Sequence, residues 1–131
     1  MNIPEKVIKL LNSQEATKVL TSVSTTGIPH TVVVGSTMAP QPDLICAAEV
    51  MMHTTAKNFK NNPNVAVLVV KDMESYQVIG KVKNHQTEGS LFETMKKELE
   101  KLGLPCKGVW LFEPVEVYDQ SAGSNAGKKI A

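Results

Sequence analysis

Between Thr17 and Ala48 the chain carries three strand-length segments separated by turns too short to hold a crossover helix. Residues 17–24 follow a two-residue period, with Val19, Thr21 and Val23 alternating with Leu20 and Ser22. Thr25-Thr26-Gly27-Ile28-Pro29 reads as a turn, and a second strand runs from His30 to about Thr37. Pro40-Gln41-Pro42-Asp43 is another turn, followed by the apolar strand Leu44-Ile45-Cys46-Ala47-Ala48. Strands linked this tightly pair antiparallel, because a parallel return needs about a dozen residues or more. Three more strand segments follow: the apolar run Val65–Val70, the alternating stretch 76–84, and a segment from Lys107 to Tyr118 bent at Pro114. Six antiparallel strands tend to close into a barrel, which removes their exposed edges.

Helical patterns occupy the gaps. Asn2 with Glu5 and Pro4 suits a helix start, and Ile3, Val7, Leu10 and Leu11 share a face, which predicts a helix over residues 3–12. A short helix opens at Thr54 or Thr55 and stops at Asn61-Asn62-Pro63. Ser90-Leu91-Phe92-Glu93 has the form of a capping box, and Leu91, Met95, Leu99 and Leu102 make a core-facing stripe ended by Gly103 and Pro105. Gly80, in mid-strand, suggests a bulge or the close approach of a ligand or another backbone, the bulge being the favoured reading. The expected architecture is one mainly β domain over residues 1–120, flanked by short helices, with a flexible tail over 121–131.

Composition narrows the function classes. The 131 residues suit a single domain with its own core, and 14 basic against 13 acidic side chains leave a net charge of +1. Every basic residue is a lysine. Nucleic-acid binders need a basic field and favour arginine forks, so this chain argues against that class. An anion site must be built from lysine, backbone N–H groups and hydroxyls. No apolar run approaches the length of a membrane span, and the amphipathic start differs from a signal segment, so a cytoplasmic location is expected. Cys46 and Cys106, 60 positions apart in apolar segments, read as buried reduced thiols. His30, His53 and His85 lack metal-ligand spacing, so no metal site is expected, and no nucleophile elbow, Walker or dinucleotide glycine motif occurs.

The densest chemical signal is Met52-His53-Thr54-Thr55-Ala56-Lys57-Asn58. It joins an apolar strand to a helix start, where unpaired N–H groups and the positive end of the dipole favour an anion. The hydroxyls of Thr54 and Thr55 add donors, and Lys57, about one turn on, adds a cation. A phosphate suits such a place. An ordinary threonine cap beside a solvated lysine is the competing reading.

The order Ile28-Pro29-His30-Thr31-Val32-Val33-Val34, Leu44 to Glu49, Thr54-Thr55-Ala56-Lys57-Asn58-Phe59 and Asn62-Pro63-Asn64-Val65-Ala66 resembles the FMN-binding split-barrel proteins, which include pyridoxamine 5′-phosphate oxidase and small bacterial FMN-binding proteins. The resemblance spans roughly residues 5–120 and is most specific at the helix followed by Asn-Pro-x-Val-Ala and a strand. It implies a six-stranded antiparallel split barrel and a homodimer with FMN at the subunit interface. It places Thr31, Val32, Val33 and Val34 along the flavin ring, with Ala47, Ala48 and Glu49 approaching from the other side. The family's phosphate pair falls on Thr54 and Thr55, where Thr54 departs from the pattern and Lys57 is the candidate replacement charge. Gln77 matches a glutamine that reaches the ring or phosphate region.

Pyridoxamine phosphate oxidases grip their substrate partly with arginines near the C-terminus, and this chain has none. The resemblance therefore implies an FMN-dependent oxidoreductase or electron carrier rather than that oxidase. The alternatives are a non-catalytic FMN- or haem-binding protein, with His30, His53 or Met51 as axial candidates, and a bare barrel that binds a partner protein. No membrane or nucleic-acid partner is expected.

Overall fold

The computed structural model describes all 131 residues. A short helix α1 (Glu5–Leu11) precedes strands β1 (Thr17–Val23), β2 (Pro29–Val33), β3 (Met38–Gln41) and β4 (Leu44–Glu49). Helix α2 (His53–Asn61) then leads to β5 (Asn64–Lys71) and β6 (Glu74–Gln86), and helix α3 (Ser90–Glu100) to β7 (Gly108–Asp119) and β8 (Lys128–Lys129). The strands form one antiparallel sheet in the order β2-β1-β5-β6-β7-β4-β3, with β8 on β7. The sheet curls around a core but leaves β2 and β3 unpaired with each other. This is a barrel with a split.

The strand count is eight rather than six. Pro40 and Gln41, expected in a turn, belong to β3, an edge strand whose pairing with β4 shifts register between Met38 and Gln41. Proline is tolerated there because an edge residue can spare its missing N–H. The expected His30–Thr37 strand ends at Val33, beyond which the Thr37 backbone N–H and hydroxyl both donate to the Val34 carbonyl, at 3.2 and 2.8 Å. Residues 121–131, expected as a flexible tail, turn back along β7, where Ile130 N–H donates to the Val117 carbonyl at 2.8 Å.

Two expected helix starts also differ. Asn2 does not cap α1: the N-cap is Pro4, and Ile3 is drawn into a backbone hydrogen bond with Pro42 at 2.7 Å. Ser90 is already helical with Gly89 before it, so no capping box forms, and its carbonyl instead accepts the Thr94 hydroxyl at 2.9 Å.

Alternation decides what each face buries. Leu20, Val67, Val78 and Val117 pair across four strands and all point into the barrel. β4 is buried on both sides: Ile45 and Ala47 enter the barrel, while Cys46 and Ala48 pack beneath Phe92, Met95 and Leu99 of α3. That explains its unbroken apolar run. Phe92, rather than Leu102, completes the α3 stripe, because the helix ends at Glu100 and leaves Leu102 exposed. Burial pushes the Cys46 thiol up to about 12, which leaves it protonated and inert.

Gly80 sits at a register shift opposite β7, and a side chain there would come within 2.8 Å of the Glu113 carbonyl oxygen. The bulge and the close backbone approach are the same feature.

Helix α2 is held by Phe59, whose ring lies 5.2 Å from that of Trp110 and 5.1 Å from that of Phe112. Asn58 adds a hydrogen bond from Nδ2 to Ser22 Oγ at 3.0 Å. Phe59→Ala should cost about 3–5 kcal/mol of unfolding free energy in a urea titration, through lost transfer energy and an unfilled cavity. A loss under about 1 kcal/mol would mean that α2 is held elsewhere.

Candidate functional site

The split opens into a groove of about 880 Å³ between the β2–β3 edges, the end of β4 and helix α3. That volume lies within the range of about 300–1,000 Å³ usual for small-molecule sites. Val32, Val33 and Val34 form one wall, and Ala48, Val50 and Met51 face them. Met95, Leu99 and Leu102 close a further side.

A second, smaller cleft of about 240 Å³ lies on the other side of the α2 start. His53, Lys57 and Lys60 of α2 and Lys107 line it, together with Glu49. Lys57, Lys60 and Lys107 make no ion pair. Met52, the N-cap of α2, lines both depressions, so they adjoin where the helix begins. Its φ of −119° and ψ of 57° break the helix, and no side chain caps the first turn. The N–H groups of that turn are therefore left for another acceptor.

Thr55 and Thr54 face different ways. Thr55, 1% exposed, points inward, and its hydroxyl is buried without a hydrogen-bond partner. Thr54 is exposed. An orphaned buried hydroxyl is rare and marks a place where a partner is missing.

Glu49 is already engaged. Its Oε1 accepts the Trp110 indole N–H at 2.8 Å and lies 3.2 Å from His85 Nε2, without hydrogen-bond alignment. The His85 ring stacks on Trp110 with centroids 4.2 Å apart, and a side chain at Gly108 would collide with it. These neighbours hold the carboxylate at the cleft wall.

The structure thus gathers Val32, Val33, Val34 and Ala48 on the groove, and Glu49 and Lys57 on the adjoining cleft. It does not bring in the others. Ala47 is fully buried in the barrel, and Thr31 lies outside, bonded to the Thr21 hydroxyl at 3.2 Å. Gln77 pairs with Leu68 and Tyr118, three strands from Val33. At about 4.8 Å per strand, this removes it from the groove of its own chain. Lys18, Lys60, Lys107 and the His85–Trp110 stack escaped the sequence reading. Inward alternation with Leu20 and Ser22 was the one available signal for Lys18.

The sequence profile of the pyridoxamine 5′-phosphate oxidase family matches residues 3–121. The chain belongs to this family, within the FMN-binding split-barrel superfamily. No curated protein matches the chain. An FMN-binding protein from Syntrophomonas wolfei subsp. wolfei superposes with a TM-score of 0.83 at 21% identity, covering 92% of this chain and 87% of its own. HupZ of Group A Streptococcus gives 0.79 at 23%, covering 95% and 99%. HutZ of Vibrio cholerae, described as a haem storage protein, gives 0.68 at 11%, covering 92% and 97%. At these identities the likeness establishes the split-barrel fold alone.

Thr55→Val tests the orphaned hydroxyl. Without ligand it should leave thermal stability unchanged or raise it, since a buried unpaired hydroxyl is replaced by a methyl of similar shape. A drop in unfolding midpoint would show that the hydroxyl is already partnered inside the protein.

Proposed function

We propose that the protein binds FMN and serves as a flavin-dependent oxidoreductase or electron carrier, not as a pyridoxamine 5′-phosphate oxidase. The observation that carries this reading is the junction at Met52, where an apolar groove meets uncapped helix N–H groups beside three unpaired lysines. A ligand with a flat apolar body and a phosphate at one end fits both parts. Bound FMN would supply the electron-transfer chemistry, and the protein would supply orientation and electrostatics.

In this reading Val32, Val33 and Val34 offer backbone and apolar surface to the ring, and Ala48 and Met51 limit it from the other side. The first turn of α2 and Lys57 hold the phosphate, the Thr55 hydroxyl lies buried behind that turn, and Lys60 and Lys107 add to the positive field. Glu49 is kept from the phosphate by its hydrogen bond from Trp110. The lack of arginine speaks against a second phosphate grip of the kind the oxidase needs.

The reading includes a homodimer. Val33, 65% exposed, continues across Val19 and Leu68 to Gln77 on the outer face of β2-β1-β5-β6. A second copy against that face would cover these side chains and bring Gln77 toward the partner's ligand. Light scattering at micromolar concentration should give twice the chain mass, and Val33→Asp should shift it toward the monomer. A monomeric wild type would remove the two-subunit site.

FMN and riboflavin titrations, followed by flavin fluorescence, test the phosphate assignment. Lys57→Ala should weaken FMN binding by about one to two decades, from loss of a charged hydrogen bond worth about 1.5–3 kcal/mol, and leave riboflavin nearly unaffected. Equal losses for the two ligands, or none, would place the phosphate elsewhere.

A further inference from the structure

Lys18 is an ammonium placed where an apolar side chain would pack better. It lies on the inward face of β1, between the buried Ala16 and Leu20. Its strand neighbours are Val69 of β5 and Val34, whose N–H donates to the Lys18 carbonyl at 3.0 Å. Only 5% of the residue is exposed, and it lines the groove. Its Nζ makes neither an ion pair nor a hydrogen bond with any protein group. The other charged groups on the groove, Glu98 of α3 and Lys101 just after its end, pair with each other at 3.1 Å. The groove-lining residues of α1, β2 and β4 are not titratable.

The Lys18 stem is buried while its Nζ keeps contact with the groove, and this partial burial alone lowers the Lys18 pKa. The ammonium therefore opposes folding, and its contribution improves as pH rises through its lowered pKa. Packing gives no reason to keep it. A ligand that carries negative charge beside Val34 would. The phosphate of the proposed FMN is assigned to the cleft side of Met52, which Lys18 does not line. The charge facing Lys18 must then belong to the part of the ligand inside the groove.

We propose that Lys18 is the counter-charge for the reduced flavin ring, which rests on the FMN reading above. Two electrons and one proton added to the neutral oxidised ring leave one negative charge on it. The ammonium keeps its proton and no bond of the chain changes. Lys18 thus binds the reduced ring more tightly than the oxidised one and raises the reduction potential.

The test compares wild type, Lys18→Met and Lys18→Arg, loaded with FMN and reduced stepwise with dithionite. Lys18→Met should bind oxidised FMN within about threefold of wild type. It should lose at least about tenfold in affinity for the reduced form, read as a potential about 30 mV lower. Lys18→Arg should restore most of that shift, and ligand-free Lys18→Met should melt at a higher temperature than wild type. Unchanged potential with FMN bound, or equal losses for both redox forms, overturns the proposal and leaves the FMN reading intact. Should Lys18→Met not fold, the wild type decides: its potential should change from two-proton to one-proton pH dependence at a lower pH than that of free FMN. A change at the same or a higher pH overturns the proposal. If the wild type binds no FMN at all, the functional reading itself fails, and this inference with it.

Discussion

The contact of Phe59 with Trp110 and Phe112 sets the geometry on which the site depends. It pins α2 to β7, and β7 is the strand from which β4 hangs on one side and β6 on the other. Fixing the helix there fixes its first turn at the end of β4, where Met52 separates groove from cleft. Trp110 does a second task through its indole N–H, which binds Glu49 and keeps that carboxylate at the wall of a lysine-lined space. A single aromatic cluster therefore couples barrel packing to the electrostatics of the site.

The split follows from strand order. β2 and β3 are consecutive in the chain yet pair only with β1 and β4, so the sheet curls without closing. The residues between them, Val34 to Thr37, must bridge that opening, and they line the groove as a result. Open edges are a liability in a sheet, and here the site is made from one. The outer apolar side of β1, β2, β5 and β6 is the other consequence of an incomplete barrel.

Strands with strict alternation were legible from sequence, as were the antiparallel connections, because short turns leave no other option. β3 was hidden by Pro40 within it and Pro42 just after it, which signal a turn unless the strand lies at an edge. β8 is only two residues long and depends on β7 for its existence. The site was legible where it is local: Val32–Val34 in sequence, and the helix start at Met52–Lys57. Lys18 and Lys107 come from segments far apart in the chain, and only folding brings them to the groove and cleft and sets the His85–Trp110 stack against Glu49. Thr54 and Thr55 show the same limit, since neighbouring hydroxyls on a helix diverge by about 100° and only one reaches inward.

The central claim is that the uncapped first turn of α2 receives a phosphate. Backbone amide shifts of His53, Thr54 and Thr55, followed by NMR during titration with FMN and with riboflavin, test it most directly. FMN should move these amides strongly, as expected for N–H groups gaining a charged acceptor, while riboflavin moves residues of Val32–Val34 but leaves the helix start in place. Equal shifts with both ligands, or an undisturbed α2 start on saturation with FMN, would contradict the account.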